Sequence, residues 1–338
     1  MRLKNVAIRQ FIIENLPNHE SDIASFTAKM FSMTVQGVNR HLKKLMDENI
    51  IEATGKTKGR KYNFKEIPCV YRYEITDSLS EDVIWRRDIK QHLEHLPTNV
   101  LGIWEHCFSE IFNNAIEHSR GISVSVIIYK SFLKTRMIIS DNGIGIFNNI
   151  RDTFHLQDNR EVAIELAKGK MTTDKKNHTG EGIFFSSRML DRFLILSYGI
   201  SWIHDFDKAD WIFEENSESE YNGTRVAMEL SNATQRTKQE IFDKYGEQAF
   251  NTTIIPVILM TSNGDGIVSR SQARRLLARL ETFDKVFLDF RGVDSIGQAF
   301  ADEIFRVFTN AHPDAKIFPV NANKAVESMI LRTKNTRL

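Results

Sequence analysis

The chain has 338 residues, of which 41% are hydrophobic and 26% charged, with a formal net charge of +1. That balance is ordinary for a globular protein of two or three domains, and the net charge averages over unlike segments, so it assigns no partner by itself. Two cysteines, Cys69 and Cys107, exclude a disulfide framework and a cysteine-based metal site, and no run approaches about 18 uninterrupted apolar residues, so neither a membrane span nor a membrane-bound sensor is expected. The opening residues Met1-Arg2-Leu3-Lys4-Asn5 lack the apolar core of a signal peptide, and a reducing cytoplasm is the expected location.

Residues 3–15 carry apolar side chains at helical spacing, namely Val6, Ile8, Phe11 and Ile12. Ser21 is placed to cap a second helix with Ile23, Phe26 and Met30, and Thr34 to cap a third with Val35, Val38, Leu42, Leu45 and Met46 facing inward. The opposite face of the third helix presents Gln36, Asn39, Arg40, Lys43 and Lys44. A strand at 50–53, a basic turn from Thr54 to Lys61 and a strand at 62–64 predict a hairpin. Between Thr34 and Lys65 eight bases stand against three acids.

This layout resembles a winged helix-turn-helix over residues 1–65, with 34–48 as the recognition helix. The resemblance implies DNA as a partner, contacted by Gln36, Asn39, Arg40, Lys43, Lys44, Lys58 and Arg60. Gln36 and Asn39 are the polar side chains suited to base edges, and the bases suit phosphates. A solvated basic face and a protein-binding winged helix are the alternatives. A homodimer is also expected, since winged helices often read paired half-sites.

Residues 66–80 read as a linker or a first strand, punctuated by Pro68, and a helix at 80–96 is stopped by Pro97. The next helix, 98–119, carries Glu110, Asn114 and His118 four apart and therefore on one face. A carboxylate and a carboxamide on one face can hold a water and a hard Mg²⁺. Strands follow at 122–130 and 134–140, the latter running into Asp141-Asn142-Gly143-Ile144-Gly145. The segment 146–179 is long and polar for a simple connection. It ends in His178-Thr179-Gly180-Glu181-Gly182-Ile183, glycines that let backbone approach phosphate and that open a helix at 183–191. Strands return at 193–198, 201–205, 210–214 and 223–230.

In this order and spacing the three segments resemble the N, G1 and G2 boxes of the GHKL ATPase/kinase family, to which gyrases and histidine kinases belong. The resemblance implies a Bergerat α/β two-layer sandwich over residues 81–232, with ATP and Mg²⁺ as cofactors and an ATP lid at about 146–180. It makes Glu110 the general base and Asn114 the Mg²⁺ ligand. It gives Asp141, Gly143, Gly145 and Thr224 to adenine, and Thr179, Gly180 and Gly182 to the phosphates. Lys168 and Lys170 are candidates to neutralise phosphate charge, and His118 is structural or phosphate-adjacent. Histidine autophosphorylation is not expected, because His92 and His95 lie too close to the Glu110 helix and His95-Leu96-Pro97-Thr98 lacks the acidic residue that follows a phosphoacceptor.

A helical connection over 233–252 leads to a βαβαβα pattern over 253–338. Its strands are 253–260, 285–290 and 315–320, Ser269 caps its first helix, and further helices run at 299–309 and 322–332. Asp289-Phe290-Arg291-Gly292-Val293-Asp294-Ser295-Ile296-Gly297 before a helix resembles the STAS-like fold of anti-anti-sigma factors. The resemblance makes Ser295 a candidate phosphoacceptor; a plain helix cap is its alternative. The fold expected is thus multidomain α+β: a winged helix, a GHKL α/β sandwich and a STAS-like α/β domain. The function expected is an ATP-controlled regulator, acting as a GHKL-type ATPase or an anti-sigma-like serine kinase on DNA and a regulatory protein partner. A non-catalytic ATP-sensing module for protein–protein interaction is the rival.

Overall fold

A computed structural model describes residues 2–56, 59–168, 182–206, 208, 210–214, 222–245, 252–261 and 266–335. The chain is a mixed α/β protein with several sheets, divided into two compact units: residues 1–69 with 128–136, and residues 70–127 with 137–338.

The first unit opens with helices α1 (Arg2–Asn15), α2 (Ile23–Met30) and α3 (Val35–Asp47). Ile8 and Ile12 from the first, Leu16 from the turn that follows it, Ile23 from the second, and Val38, Leu42 and Leu45 from the third close one buried cluster, completed by Ile51 and Tyr62. The Thr34 hydroxyl accepts the Gly37 N–H at 3.1 Å and so caps α3 as expected. Ser21 does not cap α2. The N-cap position belongs to Asp22, whose carboxylate takes the His19 ring nitrogen at 2.9 Å instead of a helix N–H. Strands β1 (Ile51–Thr54) and β2 (Lys61–Phe64) pair antiparallel, Ile51 opposite Phe64 and Thr54 opposite Lys61.

The second unit contains most of a seven-stranded sheet, in which β3 (Ile67–Glu74), β4 (Ser123–Lys130), β5 (Lys134–Asp141), β9 (Thr224–Ser231), β6 (Arg192–Ser197), β7 (Ile200–Asp205) and β8 (Trp211–Glu214) lie side by side in that order. β6 pairs antiparallel with both β9 and β7, and β7 with β8. The burial of β4, β5 and β9 alternates residue by residue, the period-2 signature of a sheet with one face on a core. The long helix α5 (Thr98–Glu117) buries Ile103, Trp104, Cys107, Phe108, Ile111 and Phe112, and packs on α8 (Gly182–Met189) and β9.

The helix expected over 80–96 is not continuous. After α4 (Glu81–Ile84) the chain widens into a π-helical turn, Trp85–Ile89, and tightens again at Lys90–His92. Ile84, Trp85, Ile89 and Leu93 are all buried, so the irregular winding keeps these bulky groups on the core side. The stretch after Gly145 is also more ordered than its polar composition suggests. It forms α6 (Ile146–Phe154) and α7 (Asn159–Lys168), with Phe147, Val162, Ala163, Ile164 and Ala167 buried.

Beyond α9 (Lys238–Tyr245) comes a second sheet, wholly parallel, with β10 (Thr252–Pro256), β11 (Lys285–Asp289) and β12 (Lys316–Val320) in sequence order. Helices α10 (Arg270–Leu277), α11 (Gln298–Asp302) and α13 (Lys324–Asn335) pack on one another. Ser269 and Gln272 form a reciprocal capping box on α10. A π-helical turn at Glu303–Phe308 and the short α12 (Thr309–Ala311) extend α11.

Candidate functional site

β5 ends at Asp141, and what surrounds this carboxylate is built from three distant parts of the chain. Asp141 is buried, and its Oδ1 accepts the Gly143 N–H at 2.9 Å and the Thr224 N–H at 3.2 Å. The Thr224 hydroxyl accepts the Ile146 N–H at 2.9 Å, which ties the start of β9 to the first turn of α6. Burial pushes the Asp141 pKa upward, and the two amides work against that shift. Both amides meet Oδ1, and the Thr224 side chain adds a further hydrogen bond, so the buried carboxylate is fixed in direction at the strand end.

The loop after Asp141 is held against the end of α5. The Ile144 N–H donates to the Ser119 carbonyl at 2.8 Å, and the Asn149 side chain donates to the His118 carbonyl at 3.3 Å. A Cβ on Gly143 would collide with the Ser119 carbonyl, so this close approach requires glycine. His118 itself ends α5, its N–H on the Asn114 carbonyl at 3.1 Å. The loop is further supported by residues the sequence does not single out: the Ser197 hydroxyl donates to the Gly223 carbonyl at 2.8 Å, and Tyr198 reaches the Gly143 carbonyl at 3.5 Å. Neither signal was readable beforehand, because both depend on the pairing of β6 beside β9.

Glu110 and Asn114 are half-buried on α5. Gly182, the first residue of α8, lies so close to Glu110 that a Cβ there would overlap the Oε2 oxygen. The glycine of the third segment and the carboxylate of the first therefore meet. Among the described residues no cluster of three or more His, Cys, Asp or Glu side chains is arranged to hold a metal ion. Thr179, Gly180 and Lys170 lie outside the described residues.

Lys168 is the lysine candidate that lies among the described residues. It is the last residue of α7, with its side chain buried, and its ammonium donates to Glu165 Oε1 at 2.5 Å and to the Ala278 carbonyl at 2.7 Å. Burial pulls its pKa down and the Glu165 charge opposes that. In this conformation the ammonium is committed to the loop after α10.

On α3, Gln36, Asn39, Arg40, Lys43 and Lys44 are all exposed, as the helical face predicts. Arg60, in the β1–β2 hairpin, is exposed too. Its guanidinium sits 5.1 Å over the Tyr62 ring and 3.8 Å from the Met46 sulfur, so the hairpin and α3 share one basic surface. Lys58 lies outside the described residues.

Ser295 is exposed on the loop between β11 and α11. It does not cap α11, whose N-cap is Gly297 with no side-chain bond. The loop is held by its flanks: buried Asp289 accepts Arg291 Nε at 2.7 Å and Asn321 Nδ2 at 3.0 Å, and Asn323 Nδ2 donates to the Val293 and Asp294 carbonyls at 3.0 and 2.9 Å.

Among the described residues, no helix is long and apolar enough to cross a membrane. No curated protein matches the chain. The C-terminal part, with β11, α11 and β12 at its centre, is similar to a known family: residues 272–327 match the STAS-like domain of unknown function (DUF4325).

Proposed function

We propose that the chain is an ATP-binding regulatory protein. In this reading a GHKL-type nucleotide site on the second unit governs a DNA-binding winged helix in the first and the STAS-like domain at the C-terminus. The observation that carries the reading is the buried Asp141 carboxylate, fixed by the Gly143 and Thr224 amides, with Glu110 under Gly182 at the other end of the α5 face. A buried carboxylate held in one direction is suited to accept the exocyclic amino group of adenine. Gly143 and Gly145 let the loop pack tightly on Ser119, Ser197 and Tyr198, which fixes the backbone beside the carboxylate.

Mg²⁺ bound with nucleotide keeps most of its ligands from water and phosphate and asks the protein for one or two oxygens, a demand the Asn114 carboxamide beside Glu110 fits. When bound, that ion would neutralise the phosphate charge. Glu110 then orients the attacking hydroxyl of water or of a serine and takes its proton. The new O–P bond forms as the bond to the leaving diphosphate breaks. Phosphoryl transfer of this kind needs positioning more than covalent catalysis, a role that Glu110 and Asn114 on one helix face suit.

Exposed Gln36, Asn39, Arg40, Lys43 and Lys44 support the DNA reading of the first unit. Ser295, exposed and not a helix cap, is the acceptor we assign if the phosphoryl group goes to protein.

Equilibrium binding of ATP with Mg²⁺ to the full chain tests the site. Asp141→Asn and Asn114→Ala should each weaken binding by about tenfold or more, since each removes a buried or ion-holding group. Unchanged affinity in both would refute the assignment. Release of phosphate by the wild type that Glu110→Ala abolishes would mark turnover. Tight binding with neither release nor label on Ser295 would favour a nucleotide sensor without catalysis.

A further inference from the structure

The C-terminal turn of α7 is where several separate parts of the second unit converge. Its Ala167 carbonyl accepts Arg188 Nη2 of α8 at 3.4 Å. Its Lys168 carbonyl accepts the Thr253 hydroxyl of β10 at 3.0 Å. The Lys168 ammonium reaches Glu165 and the Ala278 carbonyl, and the second Glu165 oxygen accepts Arg279 Nη1 at 3.1 Å. One turn of helix is thereby bound by hydrogen bonds and ion pairs to β10 and to residues 278–279. Asp158, just ahead of α7, pairs with Arg275 at 3.4 Å and extends the contact.

The same helix is coupled to the nucleotide site at both ends of that site. α6, which packs on α7, begins at Ile146 on the Thr224 hydroxyl, beside Asp141. α8, which supplies Arg188 to Ala167, begins at Gly182 against Glu110. α6 and α8 both pack on α7, and the partners of its last turn beyond those helices, Ala278, Arg279 and Thr253, belong to the STAS-like side. Glu165 and Lys168 are almost fully buried there, their side chains 1% exposed, so their ion pair cannot be loosened without rehydrating both. Such a contact is made or broken as a unit.

We infer that the Glu165–Lys168–Arg279 lock is an autoinhibitory clasp by which the docked STAS-like domain opposes nucleotide binding. The inference rests on the nucleotide reading of the Asp141 site. Glu165 and Lys168 lie three apart on α7 itself, so what docking adds is the Ala278 carbonyl on Lys168, Arg279 on Glu165 and burial of the pair, which withhold the ammonium from phosphate. Undocking leaves Lys168 only an exposed pair within its own helix, which is weak, and lets α7 move. Linkage makes the effect reciprocal: whatever the clasp subtracts from nucleotide affinity, nucleotide subtracts from docking.

The test measures ATP affinity, with Mg²⁺, in the full-length wild type, Arg279→Gln and Thr253→Val, with Asp141→Asn as the reference for the site itself. Arg279→Gln removes the ion pair to Glu165 and the guanidinium stacked over the Phe154 ring, at a partly exposed position, and Thr253→Val removes one hydroxyl with little change of shape, so either can report if the other misfolds. Both should bind ATP more tightly than the wild type, by about fivefold or more. Hydrogen exchange of residues 275–279 in the wild type should rise when ATP is added. If ATP binds the wild type but not Asp141→Asn, and both clasp variants match the wild type while exchange is unmoved, the clasp is refuted and the site stands. No ATP binding by the wild type would overturn both.

Discussion

Asp141 and Lys168 differ in how far along the chain their partners lie. The Gly143 amide on Asp141 belongs to a tight loop two residues on, which the Asp-Asn-Gly-Ile-Gly spacing already implies, whereas the Thr224 amide comes from the neighbouring strand β9. Lys168 has its partner carbonyl 110 positions away at Ala278, and no local pattern announces a pairing of that range. Buried groups that titrate were equally invisible. His106 on α5 packs edge-on against Phe242, and its Nε2 has no hydrogen-bond partner among the described residues. Burial, aided by the Lys238 charge, pushes its pKa down to about 4. The unfolded chain takes up this proton below about pH 6.5 and the folded chain only near 4, so between those values the unfolded state binds more protons and stability falls as pH falls. The contribution at stake is about 3 kcal/mol at most. Chemical denaturation between pH 7 and 4.5 should show this acid limb in the wild type and a shallower one in His106→Phe. Identical slopes would mean the ring is hydrated.

Helix starts show which parts of a fold are local enough to read. The Thr34 and Ser269 caps were legible because each needs only its own hydroxyl and an amide three positions on. Ser21 failed by one position: His19 bonds to Asp22, and that turn sets the start of α2. The break after α4 was not legible, since a π-helical turn is decided by which bulky groups the core accepts rather than by spacing. The two caps and the failed one form a graded prediction. Thr34→Ala and Ser269→Ala should each cost about 1 kcal/mol in thermal or urea unfolding, and Ser21→Ala should cost nothing measurable. A loss at Ser21 equal to that at Thr34 would contradict the assigned start of α2. Ser295→Ala belongs with the neutral group for stability because α11 is capped at Gly297, so any loss of phosphate label in that variant reports chemistry and not folding.

Between the two units the proposal makes a thermodynamic demand that is independent of how they are arranged. If ATP changes DNA affinity by some factor, DNA must change ATP affinity by the same factor, because both binding events draw on one coupling free energy. DNA binding by the exposed α3 face would be dominated by phosphate contacts and so would weaken steeply with salt, each neutralised phosphate adding about 0.9 to the slope of log affinity against log salt. Lys43→Ala and Lys44→Ala should each reduce that slope by about one contact while leaving ATP affinity without DNA unchanged, since neither residue is on the unit that carries Asp141. Asn39→Ala should instead lower discrimination between sequences with little change of slope, if it reads a base edge. Titrating duplex DNA with and without ATP, and ATP with and without DNA, at one fixed salt concentration then closes the cycle. Equal non-unit factors on the two sides would establish a nucleotide-controlled DNA-binding protein. Factors of one on both sides, with DNA and ATP each still bound, would leave two independent activities on one chain and remove the switch from the proposed function.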